Sequence, residues 1–199
     1  MYEVILDLET QRAFSESGKY DPRTLGVSYV GICRRQMAAQ DRNAGEVLGF
    51  FENEVVELWP ILEQADRIIG FNILGFDFPV LSAYYHGDVS SFRILDILEE
   101  VKKQAGHRVS LNAIAKETLG RQKSGSGLDA LTYYEQGKLD ELAKYCLDDV
   151  RITRDVYDYG LAHKELKFLN KWNRVISVPV DFSNPSTDGK MKVQMTLGV

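Results

Sequence analysis

The first ten residues, MYEVILDLET, constrain the fold more than any other stretch of the chain. They read as a strand. Side chains alternate between the two faces of a strand, so Tyr2, Val4, Leu6 and Leu8 share one face and Glu3, Ile5, Asp7 and Glu9 the other. Two acids on one face, at the C-terminal end of an apolar strand, need a physical reason. Side by side they repel each other and favour protonation unless a cation lies between them. In open α/β sheets the ligand crevice lies at the carboxyl ends of the strands, where this pair points. The pair predicts a hard divalent metal site.

Composition narrows what such a site can serve. A chain of 199 residues, 44% hydrophobic, suits one globular body of ordinary core size with a terminal extension. With 24 basic and 29 acidic residues the net charge is -5, which argues against a protein that merely coats nucleic acid. An enzyme gripping one strand end is not excluded, because the local field matters more than the sum. Cys33 and Cys146 lie far apart with no CxxC pattern, so no structural zinc site is expected and a reducing, cytoplasmic setting is the default. There is no leader and no apolar run of about 18 residues, so neither secretion nor a membrane partner is expected.

Along the chain, Gln11 to Thr24 reads as a loop and Leu25 to Cys33 as a second strand. Arg34 to Asn43 is expected to pair with it as a third strand in an antiparallel hairpin. Glu46 to Gln64 follows a helical period through Leu48, Phe51, Val55, Leu58 and Leu62, with Pro60 able to kink it. Arg67 to Phe71 is a short buried strand, Phe76 to Tyr85 a helix, and Phe92 to Leu95 a strand running into a helix through Lys103. Ser110 is an N-cap and Gly120 a stop for the next helix. Helices then follow over Leu128 to Gln136 and Lys138 to Tyr159, and two strands over Glu165 to Asn170 and Arg174 to Phe182. Ser183 to Lys190 is turn-like, and the last nine residues are a strand or a loose end. Strands alternating with helices imply a mixed, mostly parallel α/β sheet with helices on both faces.

Two further stretches carry polar residues where an apolar pattern would leave them out. In GFNILGFDFPVL, Asn72 and Asp77 interrupt an apolar run after the buried strand. Taken singly, Asp77 is most simply a helix N-cap and Asn72 a loop hydrogen-bonder. In YCLDDV, Tyr145 and Asp149 are four apart on one helical face, whereas Asp148 is a solvated acid able to pair with Lys144.

Together, Asp7-x-Glu9, Asn72-x-x-x-Phe76-Asp77 and Tyr145-x-x-x-Asp149 resemble the tyrosine branch of the DEDD superfamily of 3′-to-5′ exonucleases, which includes polymerase proofreading domains and RNase D. The three motifs stand in the family's order over roughly residues 1 to 160. The segment from Ser110 to Tyr145 is similar to the helical part of stand-alone and helicase-associated members. His86, His107 and His163 all lie away from the position at which the histidine branch carries its histidine.

The resemblance implies an RNase H-like mixed five-stranded sheet with one antiparallel strand. The catalytic domain would be 1–163, and 164–199 a C-terminal β extension on the same body. Asp7, Glu9, Asp77 and Asp149 would hold two divalent ions, Mg²⁺ or Mn²⁺. Tyr145 would hold or help deprotonate the attacking water. Leu8 and Thr10 would lie beside the terminal nucleotide, and Asn72 and Phe76 would shape the cleft. The implied activity is removal of nucleotides from the 3′ end of single-stranded DNA or RNA, with DNA slightly preferred and a helicase or polymerase as a conceivable partner. An RNA-trimming ribonuclease and a non-catalytic nucleic-acid-binding module on the same fold are the alternatives, since fold alone never proves activity.

Two surface features are read without the resemblance. Lys102, Lys103, Arg108, Lys116, Arg121 and Lys123 stand against one acid, Glu117, as either a phosphate-contacting rim or a solvated surface. Tyr84, Tyr85, Tyr133 and Tyr134 are either base-stacking platforms or core, with at least half expected in the core. Asp96 is expected to be either structural or a helix cap, outside the site, and Cys146 a buried small hydrophobe.

Overall fold

The structure is a computed structural model that describes residues 1–14, 21–37, 45–122 and 125–183. Five strands form one sheet: β1 (Tyr2–Thr10), β2 (Val27–Gln36), β3 (Glu46–Phe51), β4 (Arg67–Gly70) and β5 (Ile94–Asp96), in the order β3-β2-β1-β4-β5. β1 runs parallel to β4, and β4 to β5, while β2 is antiparallel to both β1 and β3. The sheet is therefore mixed with one antiparallel strand, as the sequence implied.

Helices cover both faces. Val4, Leu6 and Leu8 join one core with α1 (Val55–Glu63) and α2 (Asp77–Leu81). Ile5 joins the other, built with α3 (Ile97–Ala105), α4 (Leu111–Leu119) and α6 (Leu139–His163). The alternation read from MYEVILDLET thus sets which residues face which layer. α5 (Gly127–Glu135) packs with α6, and its Ala130 is buried beside Leu142 and Cys146. A separate antiparallel pair, β6 (Glu165–Leu169) and β7 (Val175–Pro179), lies against the α4 and α6 layer. The Thr118 hydroxyl donates to the Lys167 carbonyl and accepts from its N–H.

The third strand is not where the sequence suggested. Arg34 to Gln36 belong to β2, residues 38–44 lie outside the described residues, and Glu46 to Phe51, read as helix, form β3. β3 pairs from Glu46 opposite Arg34 to Phe51 opposite Tyr29. Val47 faces one core and Leu48 and Phe50 the other, so the run is apolar on both sides. A doubly buried strand has no period-two signal, and periodicity cannot separate it from a buried helix. The helix proper is nine residues and keeps Pro60 inside it. The turn at 184–190 and the final nine residues also fall outside the described residues.

Chain ends and turns follow local chemistry. The Ser110 hydroxyl caps α4 by accepting from the Ala113 N–H at 3.2 Å, and Gly120 ends it in the left-handed conformation. Gly31 has a different role. It sits opposite Asp7 in the β1–β2 register, and a Cβ there would come within 3.0 Å of Leu147 and Val150 on α6. The absence of that Cβ lets α6 lie close to the sheet at the level of Asp7.

Candidate active site

The close approach of α6 decides what Asp7 and Glu9 meet. Tyr145 and Asp149, one turn apart, face the end of β1. Oxygen atoms of Asp7, Glu9 and Asp149 all lie within 4.8 Å of one another. The β1–β2 register shifts between Glu9 and Thr10, a bulge of the kind that re-aims side chains beside active sites. All nine candidate residues, Asp7, Leu8, Glu9, Thr10, Asn72, Phe76, Asp77, Tyr145 and Asp149, line one cleft of about 290 Å³.

Asp77 enters from the opposite layer. It opens α2 instead of capping it, since Phe76 is the N-cap residue. Its Oδ1 accepts the Leu8 N–H at 3.1 Å, which ties the start of α2 to the end of β1. The structure therefore brings three of the four acids into one group and places the fourth beside Asp7, with one oxygen already engaged.

The local field is strongly negative. Burial pushes the Asp77 carboxyl well above the ordinary carboxylate range, and the charge of Asp7 adds to it. Burial also pushes up the Tyr145 phenol, with Asp149, Glu9 and Asp7 reinforcing the shift. The buried Cys146 thiol is raised by the same burial and the same three acids, and its Sγ lies 3.5 Å from the Asp7 carbonyl. Two unit charges about 4 Å apart repel by about 4 kcal/mol at the effective dielectric of a protein. A domain's net stability is only about 5–15 kcal/mol. Three clustered carboxylates thus call for a counter-charge, and an all-oxygen set fits Mg²⁺ or Mn²⁺, which take carboxylates and water. Four acids on three elements can supply the ligands.

The remaining positions are held by the backbone. Thr10 is buried, and its hydroxyl donates to the Arg12 carbonyl at 2.9 Å. Asn72 adopts a left-handed φ of 63°, a conformation that asparagine tolerates. Its N–H donates to Asp96 Oδ1 at 2.9 Å, and the Leu74 N–H donates to Oδ2 at 3.0 Å. Asp96 also caps α3 through the Leu98 N–H at 3.0 Å. It is the cap the sequence suggested, and in addition it fixes the loop that carries Asn72.

Some residues at the cleft escaped the sequence reading. Arg12, Phe14, Leu25, Phe71, Gly127 and Leu131 complete its walls, and Phe14 packs edge-on against Phe76 with ring centres 6.1 Å apart. Arg12 and Phe14 sit in a stretch that reads as polar loop, and only their closeness to Thr10 could have signalled them.

The surface readings separate as well. Lys102 pairs with Glu99 at 3.0 Å, Lys103 with Glu100, and Arg121 with Asp155 and, at 3.7 Å, Asp148. The partner of Asp148 is thus Arg121 and not Lys144, and Lys123 lies outside the described residues. Among the described cations of that stretch, Arg108 and Lys116 make no ion pair. The Tyr84 hydroxyl donates to Glu52 at 2.6 Å and that of Tyr85 to Glu63 at 2.9 Å, while Tyr133 and Tyr134 pack on the α5–α6 core. These contacts are structural.

A family model and a solved polymerase share this architecture. Residues 4–160 match the model of a family described as RNase_H superfamily. Among solved structures, the family B DNA polymerase from the hyperthermophilic archaeon Pyrobaculum calidifontis is similar with a TM-score of 0.59 at 18% identity, over 80% of this chain and 24% of that one. E. coli exonuclease I, solved as a zinc-bound complex with single-stranded DNA, gives a TM-score of 0.48 at 12% identity, over 82% of this chain and 41% of that one. The chain thus spans about a quarter and two fifths of their lengths. No curated protein matches. The matched span holds all five strands except the first two residues of β1, together with every candidate residue, and the chain belongs to the RNase_H superfamily.

Proposed function

We propose that the chain is a metal-dependent 3′-to-5′ exonuclease of the tyrosine branch, acting on single-stranded ends with DNA slightly preferred. The observation that carries this is the meeting of Asp7, Glu9 and Asp149 oxygens within 4.8 Å, in a cleft shared with Asp77 and Tyr145. Residues 1–163 would form the nuclease unit and 164–199 an extension packed on it.

Asp7, Glu9 and Asp149 would hold the ions, and Asp77 would add a carboxylate oxygen from the α2 side. Divalent ions held there would offset the cluster's charge and supply Lewis-acid stabilisation for hydrolysis of a phosphodiester. Burial and the charges of Asp149, Glu9 and Asp7 push the Tyr145 phenol up without metal, and beside the loaded cluster it would orient the attacking water or help deprotonate it. Leu8, Phe76 and Phe14 offer an apolar wall to the terminal nucleoside, and Thr10 and Asn72 border it. A polymerase or helicase as partner and a cytoplasmic setting remain compatible with this reading. Among the described residues, no helix is long and apolar enough to cross a membrane.

End-labelled single strands of DNA and RNA, incubated with and without Mn²⁺, test the proposal. Stepwise Mn²⁺-dependent loss from the 3′ end, faster on DNA, is expected. Faster loss from RNA would move the assignment to an RNA-trimming enzyme, and binding without cleavage would move it to a non-catalytic module.

A further inference from the structure

A second groove opens beside the cleft. Its volume is about 440 Å³, and it adjoins the cleft at Phe71 and Asn72, which line both. Phe71, Leu98, Val109 and Leu111 give it an apolar lining, and Arg108 stands exposed on its rim. The Arg108 guanidinium donates to Asn72 Oδ1 at 2.8 Å, across the boundary between groove and cleft. Asp96 holds the Asn72 backbone N–H, which fixes the loop whose side-chain amide Arg108 contacts.

Charge pairing sets Arg108 and Lys116 apart in this stretch, and of the two only Arg108 lines the groove. Lys102, Lys103 and Arg121 are neutralised by acids of their own helices or of α6. Arg108 makes no ion pair among the described residues, and its fixed contact is to a neutral amide, which keeps its charge available. A neutral anchor with four other guanidinium donors still to satisfy suits a phosphate, which the planar fork can bind bidentately. An apolar floor beside one uncompensated cation matches a nucleotide unit, with a flat base or sugar face on one side and a phosphate on the other.

We infer that this groove binds the nucleotide next to the scissile linkage, with Arg108 contacting its phosphate. This rests on the nuclease reading of the cleft. Terminal nucleoside, scissile phosphate and neighbouring nucleotide would then occupy the Phe14–Phe76 wall, the acidic cluster and the Arg108 groove in turn. Because Arg108 holds a phosphate and no base edge, it adds affinity without sequence preference. It is a substrate-binding residue remote from the reacting atoms.

Two measurements on the full chain test this. The first is binding of a labelled single-stranded oligonucleotide in EDTA across a salt series, for the unaltered protein, Arg108→Ala and Arg108→Lys. Arg108→Ala should weaken binding about tenfold and flatten the slope of log affinity against log salt by about 0.7, the loss of one phosphate contact. Arg108→Lys should recover the slope. The second compares Mn²⁺-dependent hydrolysis of the oligonucleotide with that of the p-nitrophenyl ester of thymidine 5′-monophosphate, which has no neighbouring nucleotide. Arg108→Ala should lower kcat/KM on the oligonucleotide about tenfold more than on the ester. An unchanged salt slope, or equal effects on the two substrates, overturns the inference and leaves the nuclease reading standing. If the unaltered protein hydrolyses neither substrate, the nuclease reading falls, and the metal-free binding series still decides for or against the groove.

Discussion

The two ends of one face of β1 carry the same chemistry with opposite outcomes. Glu3, Asp7 and Glu9 all project from that face. Glu3 is buried, accepts from the Arg35 Nε at 2.7 Å and from the Tyr157 hydroxyl at 3.0 Å, and Arg35 continues to Asp158 at 2.5 and 2.7 Å. Burial alone would lower the Arg35 pKa, yet Asp158 and Glu3 outweigh it and raise it. At that end the protein supplies its own cation. At the other end, Asp7 and Glu9 meet a third acid, Asp149, and their combined charge helps push up the Tyr145 phenol and the Cys146 thiol. A buried acid facing an arginine holds a fold together, whereas an acid facing further acids marks a place for a cation from outside.

Substitutions at the two ends should therefore fail in different ways. Asp149→Ala should lower exonuclease rate about a thousandfold, since metal ions contribute several kcal/mol of transition-state charge stabilisation, while leaving the metal-free melting temperature unchanged or raised. Arg35→Ala removes the cation that faces Glu3 and Asp158 and should cost about 3–5 kcal/mol of stability by denaturant unfolding. An Asp149→Ala protein as unstable as Arg35→Ala would erase the distinction.

Metal should act on one end alone. Millimolar Mn²⁺ should raise the melting temperature, by about 2.7 kcal/mol of stability when the ion is at a hundred times its Kd. The effect should vanish in Asp7→Asn and persist in Glu3→Gln. A metal response lost in Glu3→Gln, or kept in Asp7→Asn, would break the comparison.

The response should also grow with pH. The folded-state pKa of Asp77 is raised, so without metal its contribution is most favourable when protonated and is lost as pH rises through that value. With metal bound the ionised form is favoured instead. The gap between melting temperatures in Mn²⁺ and in EDTA should therefore widen as pH rises through the range in which the raised Asp77 carboxyl ionises. A constant gap would show that the site does not couple Asp77 to the cation.

The smallest effect belongs to Tyr145. A protonated phenol that only orients water should lose about tenfold in rate as Tyr145→Phe, below the 10²–10⁴ of a full general base. A larger loss in single-turnover measurements would give the hydroxyl a proton-transfer role.

Much of this was legible before the structure, and the reasons are specific. Asp7 and Glu9 were readable because period two is unambiguous where one face is apolar and acids interrupt the other. The four-residue spacing of Tyr145 and Asp149 placed them on one helical face, but alone it reads equally as a core tyrosine beside a solvated acid, and only the resemblance of the three motifs together drew them to the site. β3 was misread because Val47, Leu48 and Phe50 bury both faces, which removes the strand's alternation. Gly31 carried no sequence signal, since its role exists only when α6 is laid over the sheet. Arg108 stood out in sequence only as one of six cations. Its separation from Lys102, Lys103 and Arg121 depends on partners that tertiary structure assigns.

The most direct test is a crystal grown with Mn²⁺ and measured for anomalous scattering. A peak ringed by the carboxylates of Asp7, Glu9 and Asp149, absent in crystals of Asp149→Asn, is what this account predicts. A map with no Mn²⁺ among those three side chains at millimolar metal would contradict it.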